Sequence, residues 1–134
     1  MKRRVWLRGL CGLLILALAA GCSGPEEKKL KFFNKGKDLY EKGQYTEAKL
    51  EFKNAIQIDP KYADAYYMLG MAEMRSGNPR GAYGAYSKAV ELDPGHLKAR
   101  LERGRLYLGA RMLDKAQEEA SLILKEDPKN EDGL

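Results

Sequence analysis

His96, Cys11 and Cys22 carry the only imidazole and thiol groups in this 134-residue chain, and so are the first candidates for nucleophilic, acid–base or metal chemistry. A zinc site draws several nitrogen, sulfur or carboxylate ligands into one tetrahedron, and His96 has no second soft ligand at a useful spacing. No serine or cysteine is spaced to pair with it as nucleophile and base. His96 is therefore read as a histidine in a surface loop, the many carboxylates as solvated helix faces, and the chain as not an enzyme. No cofactor is implied, since no glycine-rich phosphate loop is present. Cys22 is different. It follows small residues in "LALAAGCSGPEE" (Leu16 to Glu27), where apolar sequence turns polar at once.

That junction closes a tripartite leader: Met1 to Arg8 is cationic, Leu10 to Ala20 is apolar, and Ala19-Ala20-Gly21 is small. This is the pattern of a secretory signal, residues 1–21. Its apolar run is shorter than the roughly 20 residues that span a bilayer. Ala19-Ala20-Gly21-Cys22 resembles the bacterial lipobox, with alanine where leucine is commonest. The resemblance implies cleavage after Gly21 and a diacylglyceryl thioether on Cys22. Residues 22–28 then become a lipidated N-terminus and tether. Ser23, rather than an aspartate, implies sorting to the outer membrane, facing the periplasm. Each buried methylene of the acyl chains would add about 0.8 kcal/mol of membrane anchoring.

Loss of the leader removes Cys11 together with Lys2, Arg3, Arg4 and Arg8. The formal charge of +5 then falls to 20 basic residues against 19 acidic ones. Nucleic acid ceases to be an expected partner. With Cys22 acylated, no disulfide or thiolate site remains, so stability must come from packing.

The elements that would do this packing are repeated. Asp59-Pro60, Asp93-Pro94 and Asp127-Pro128 recur every 34 residues, as do Gly36, Gly70 and Gly104; Ala48, Ala82 and Ala116; and Ile56, Val90 and Leu124. A period of this length signals a stack of supersecondary units. The columns resemble the tetratricopeptide repeat, a helix–turn–helix unit. The chain is thereby identified as resembling a bacterial lipoprotein of that family. The resemblance implies an all-α, right-handed superhelical solenoid of three units, residues 29–62, 63–96 and 97–130, with a tail at 131–134.

Local signals agree. Glycine stands at the inter-helix turns of "EKGQYTEA" and "RSGNPRGA", Asn78-Pro79 reads as an N-cap with proline in the first turn, and each Asp-Pro stops a second helix. Phe32 with Phe52, and Tyr66 with Tyr86, fit the large positions between helices. Lys35, Arg100 and Arg103 occupy positions expected to be apolar, and Ala120 one expected to be large, which predicts a looser third unit. Leu122 and Ile123 are expected to lie partly bare, either because further repeats follow or because another surface, such as a second copy, covers them.

In such a stack the first helices form a concave face. The repeat register places Phe33, Lys37 and Tyr40 there from the first unit, with Leu30. Tyr67, Met71, Met74 and Arg75 come from the second, with Asp64, and Lys98, Leu101 and Arg105 from the third, with Leu108. An aromatic and Met-rich floor edged by cations suits a protein segment with apolar anchors and some negative charge. Some family members clamp a C-terminal carboxylate with two lysines, two asparagines and an arginine. Phe33, Lys37, Met68, Lys98 and Glu102 stand at those places here, and only Lys98 matches, so that clamp is not expected. The resulting expectation is a membrane-anchored adaptor in pilus, secretin or exopolysaccharide export assembly. Glycan or peptidoglycan binding, with Phe33, Tyr40 and Tyr67 as stacking platforms, and a barrel-assembly or cell-wall enzyme adaptor are the alternatives.

Overall fold

The computed structural model describes residues 24–130; Cys22 and the leader lie outside them. Six helices follow in order: α1 (Pro25–Glu41), α2 (Tyr45–Ile58), α3 (Ala63–Arg75), α4 (Pro79–Leu92), α5 (Leu97–Gly109) and α6 (Leu113–Glu126). The described residues contain no strand, as expected. The helices pair α1 with α2, α3 with α4 and α5 with α6, and α2 then packs on α3 and α4 on α5. Helix α1 reaches back into the stretch expected to be a tether. Pro25 presets the helical φ there, and Glu26 and Glu27 complement the positive end of the helix.

Small residues set the spacing. Ala48, Ala55, Ala65, Ala72, Ala82, Ala89 and Ala99 are fully buried, which lets helix axes approach closely. Large rings then fill what remains. A Cβ added at Gly36 would lie 2.6 Å from the Phe52 ring, and one at Gly70 would meet the Tyr86 ring equally tightly. The ring partners of Phe52 and Tyr86 are Phe33, at 5.9 Å, and Tyr67, at 6.1 Å, in place of the expected Phe32 and Tyr66.

The helix ends repeat as well. Asp59, Asp93 and Asp127 each cap a helix in extended geometry, and each accepts a backbone N–H two residues on, from Lys61, Gly95 and Lys129. The aspartate thus closes the turn that the proline opens. Asn78 accepts the Gly81 N–H at 3.1 Å, the anticipated N-cap. Gly43 and Gly77 take left-handed φ of 76° and 75°; the third equivalent is Arg111, at 59°.

The third unit keeps its shape by different means. Glu119, 5% exposed, receives Arg100 Nη1 at 3.1 Å and also pairs with Arg103. In the first unit Lys35 meets Glu51 at 2.5 Å. Lys35 and Arg103 are therefore each neutralised by a glutamate 16 residues on, and Arg100 shares the second of these glutamates. In the second unit the same two places hold Leu69 and Ala85, an apolar pair. Ala120 stands where Phe52 and Tyr86 stand, and Ile123 where Ala55 and Ala89 do, so bulk moves one turn along α6. Ile123 is consequently buried, contrary to its expected exposure, while Leu122 is half-buried.

Candidate functional site

Residues 33, 37 and 40 of α1 recur at 67, 71 and 74 of α3 and at 101, 105 and 108 of α5. Spacings of four and seven put each trio on one helix face. Two contacts hold the three helices in line. Arg75 Nε at the end of α3 donates to the Tyr40 hydroxyl at the end of α1, 3.4 Å. At the other end His96, just before α5, meets Asp64 of α3 at 3.1 Å.

His96 lies in the loop between α4 and α5, as expected, but not as a free surface side chain. Its side chain is 8% exposed. Nδ1 accepts the Ala99 N–H at 3.2 Å and so caps α5, which leaves the proton on Nε2 to donate to Asp64. Its ring also lies 5.1 Å from that of Tyr67. The histidine is structural, and its use as a cap explains its place just before α5.

The predicted face separates into a packed floor and an accessible edge. Phe33 packs on Tyr62, with centroids 4.8 Å apart, as well as on Phe52, and Lys37 lies 5.8 Å over the Phe33 ring. Tyr67 is half-buried, and burial, with a smaller contribution from the Glu102 charge, pushes its phenol above the ordinary 10. These two rings belong to the core as much as to the surface. Tyr40 stacks edge-on with Tyr45 at 5.3 Å. Met71 and Leu101 are half-buried; Leu30, Lys37, Met74, Arg75, Lys98, Arg105 and Leu108 are exposed. Arg105 donates to Glu102 at 2.7 Å.

At the α5 end the floor opens into a cavity of about 170 Å³ between Leu101, Gly104, Arg105, Ala116 and Ala120. It occupies the place that the Phe52 ring fills on Gly36 and the Tyr86 ring on Gly70. Ala120 against two aromatics was the sequence signal for this cavity. The buried glutamates, by contrast, escaped sequence reading, although their constant spacing from Lys35 and Arg103 was visible. Among the described residues, no cluster of three histidine, cysteine or acidic side chains could hold a metal, and no helix is long and apolar enough to cross a membrane.

Comparison with known proteins agrees with this architecture. Residues 36–77 match a family described as TPR repeat, and residues 73–133 one described as tetratricopeptide repeat. The chain is 32% identical over 108 residues to the DnaJ homolog subfamily C member 3 of Bos taurus, which covers 81% of this chain and 21% of that protein. It is 30% identical over 114 residues to the sperm-associated antigen 1 of Mus musculus, covering 81% and 12%. The chain thus spans a small part of the length of the curated relatives it matches. Among solved structures, the P58(IPK) TPR domain superposes with a TM-score of 0.74 at 30% identity, over 78% of this chain and 29% of that one. The first TPR of Spaghetti (RPAP3), bound to the HSP90 peptide SRMEEVD, gives 0.75 at 23% identity, over 80% and 85%, a likeness of fold. Three helix pairs on one 34-residue register, with family matches running from residue 36 to residue 133, make the chain a member of the tetratricopeptide-repeat family.

Proposed function

We propose that the aligned first-helix face binds a segment of a partner protein that carries apolar anchors and negative charge. The observation that carries this reading is the threefold recurrence of half-buried aromatic, Met and Leu side chains, edged by Lys37, Arg75, Lys98 and Arg105. Apolar anchors in such a groove supply affinity, and flanking cations select an acidic partner and speed its capture. The acidic peptide held by the RPAP3 domain supports the same ligand class. Phe33, Lys37, Met68 and Glu102 replace clamp residues, so recognition here rests on anchors and edge charge rather than on a gripped terminal carboxylate.

Fluorescence anisotropy with labelled SRMEEVD and its less acidic counterpart SRMQQVD, which lacks the two glutamate charges, tests this. The acidic peptide binds more tightly, amidation of its C-terminus changes little, and Met74→Ala and Lys98→Glu each weaken it while helicity is kept. Equal binding of the two peptides, or no effect of either variant, overturns the reading.

The leader and Cys22 support a second part of the proposal: the domain is held by lipid at the bacterial outer membrane, facing the periplasm, as an adaptor in pilus, secretin or exopolysaccharide export assembly. Metabolic labelling with an alkyne palmitate in a bacterial host reports this. The wild-type chain takes up label and sediments with membranes, and Cys22→Ser does neither; an unlabelled wild-type chain refutes it.

A further inference from the structure

The two junctions between successive units are built from equivalent positions and end differently. At the first, Lys49 of α2, Glu73 of α3 and Asn78 before α4 form a polar plug. Lys49 Nζ lies 3.4 Å from Glu73 Oε2, and Asn78 Nδ2 donates to the same oxygen at 2.9 Å. Thirty-four residues on, the same three positions hold Tyr83, Tyr107 and Met112. The two phenol oxygens are 3.2 Å apart and the rings meet edge-on at 5.7 Å, but no charged group fills the space. What remains is a cavity of about 400 Å³, walled by Tyr83, Leu106, Tyr107 and Met112 and edged by Arg80 and Lys115.

This cavity is separate from the groove. Leu106 and Tyr107 lie on the far side of α5 from Leu101, Arg105 and Leu108, because each helical residue advances about 100°. Its charge is one-sided. No carboxylate lines it, Lys115 Nζ stands 5.5 Å over the Tyr107 ring, and Arg111 is exposed beside it against the single Asp114. Tyr83 and Met112 are each 41% exposed, so the apolar wall is reachable from solvent.

We infer that the α4–α5–α6 junction is a second binding site, which takes a bulky apolar side chain flanked by carboxylates from a partner protein. The ring enters between Tyr83, Leu106 and Met112, where aromatic edges and a Met thioether give favourable contact. The neighbouring carboxylates meet Arg80 and Lys115, and the one-sided rim disfavours basic segments.

Amide NMR titration of the full chain tests this with three capped tripeptides: acetyl-Glu-Trp-Glu-amide, acetyl-Gln-Trp-Gln-amide and acetyl-Lys-Trp-Lys-amide. The acidic peptide shifts Tyr83, Leu106 and Met112, the uncharged one does so more weakly, and the basic one not at all. The triple variant Tyr83→Lys, Tyr107→Glu, Met112→Asn imports the plug of the first junction and abolishes the shifts, whereas the groove variant Met74→Ala retains them. Should the triple variant fail to fold, Lys115→Glu alone reverses one rim charge and moves preference from the acidic peptide toward the basic one. The site is refuted if the acidic peptide shifts only groove residues or none, if the basic peptide binds equally, or if a folded plug variant binds like wild type.

Discussion

Removing the Glu119 carboxylate isolates the device that holds the third unit together. Glu119 is almost fully buried and faces two guanidinium groups, on Arg100 and Arg103, whose side chains are 12% and 16% exposed. Glu119→Ala would leave both cations without their counter-charge. Breaking a buried pair in this way costs about 3–5 kcal/mol. Arg100 also donates to the Pro94 carbonyl at 2.7 Å and both arginines keep some access to water, so the lower end, about 3 kcal/mol, is expected. Arg103→Leu leaves Glu119 one remaining partner and costs about 1–3 kcal/mol.

The second unit supplies the corrective, since it holds Leu69 and Ala85 at the places of Arg103 and Glu119. Making both substitutions recreates that apolar pair, and the double variant should recover about 2 kcal/mol relative to the sum of the single ones, within the range of coupling between contacting residues. Urea unfolding followed by circular dichroism measures all four corners of the cycle. Single effects that add to within about 0.5 kcal/mol would mean the pair is not coupled. The account of why charged residues occupy apolar columns would then fail.

Further outcomes follow from other positions. Arg111→Gly should stabilise the chain by about 1 kcal/mol by relieving the left-handed backbone of a side-chain-bearing residue, read as a raised urea midpoint. Gly70→Ala should destabilise by about 1–3 kcal/mol, because its Cβ would collide with the buried Tyr86 ring. Gly104→Ala, whose Cβ would lie 3.4 Å from that of Glu119, should be tolerated in the same assay. Ala120→Phe should fill the 170 Å³ cavity, raise the melting temperature and reduce binding of SRMEEVD, which would show the cavity to be part of the groove. On the pH axis, Asp59 is held below its ordinary 3.8, chiefly by the hydrogen bond from Lys29, so its stabilisation is present above that value and lost as pH falls through the folded one. Lys29 is raised to about 12, first by Glu26 and then by Asp59, so its stabilisation holds below 10.5 and is lost as pH rises through about 12. Asp59→Asn should flatten the acid limb of a stability–pH profile.

The columns that repeat in all three units were legible because helix pairing imposes them every time: the glycine at the helix crossing, the buried alanine, the Asp-Pro stop. Exceptions were harder to read. Arg103 and Lys35 read as lone cations in apolar columns, and each partner lies on the next helix, so the pairing becomes plain only when α5 meets α6 or α1 meets α2. His96 read as a free surface side chain because a cap and a cross-helix contact to Asp64 leave no local pattern. Tyr83 and Tyr107 belong to different units, and a register that compares like positions does not show which unlike positions touch.

The internal repeat gives nearly every side chain two equivalents in the same molecule, and that comparison separates repaired departures from open ones. The Arg103–Glu119 pair and the Ala120–Ile123 exchange answer one change in the third unit with another nearby, although the exchange leaves a cavity. The replacement of Lys49, Glu73 and Asn78 by Tyr83, Tyr107 and Met112 has no such answer. It gives up a charged plug, opens about 400 Å³ and exposes apolar surface beside cations. Exposed apolar surface in a small domain carries a solubility cost, and a partner that covers it offsets that cost. The unrepaired junction therefore points to binding more strongly than the groove rings Phe33 and Tyr67, which core packing already accounts for.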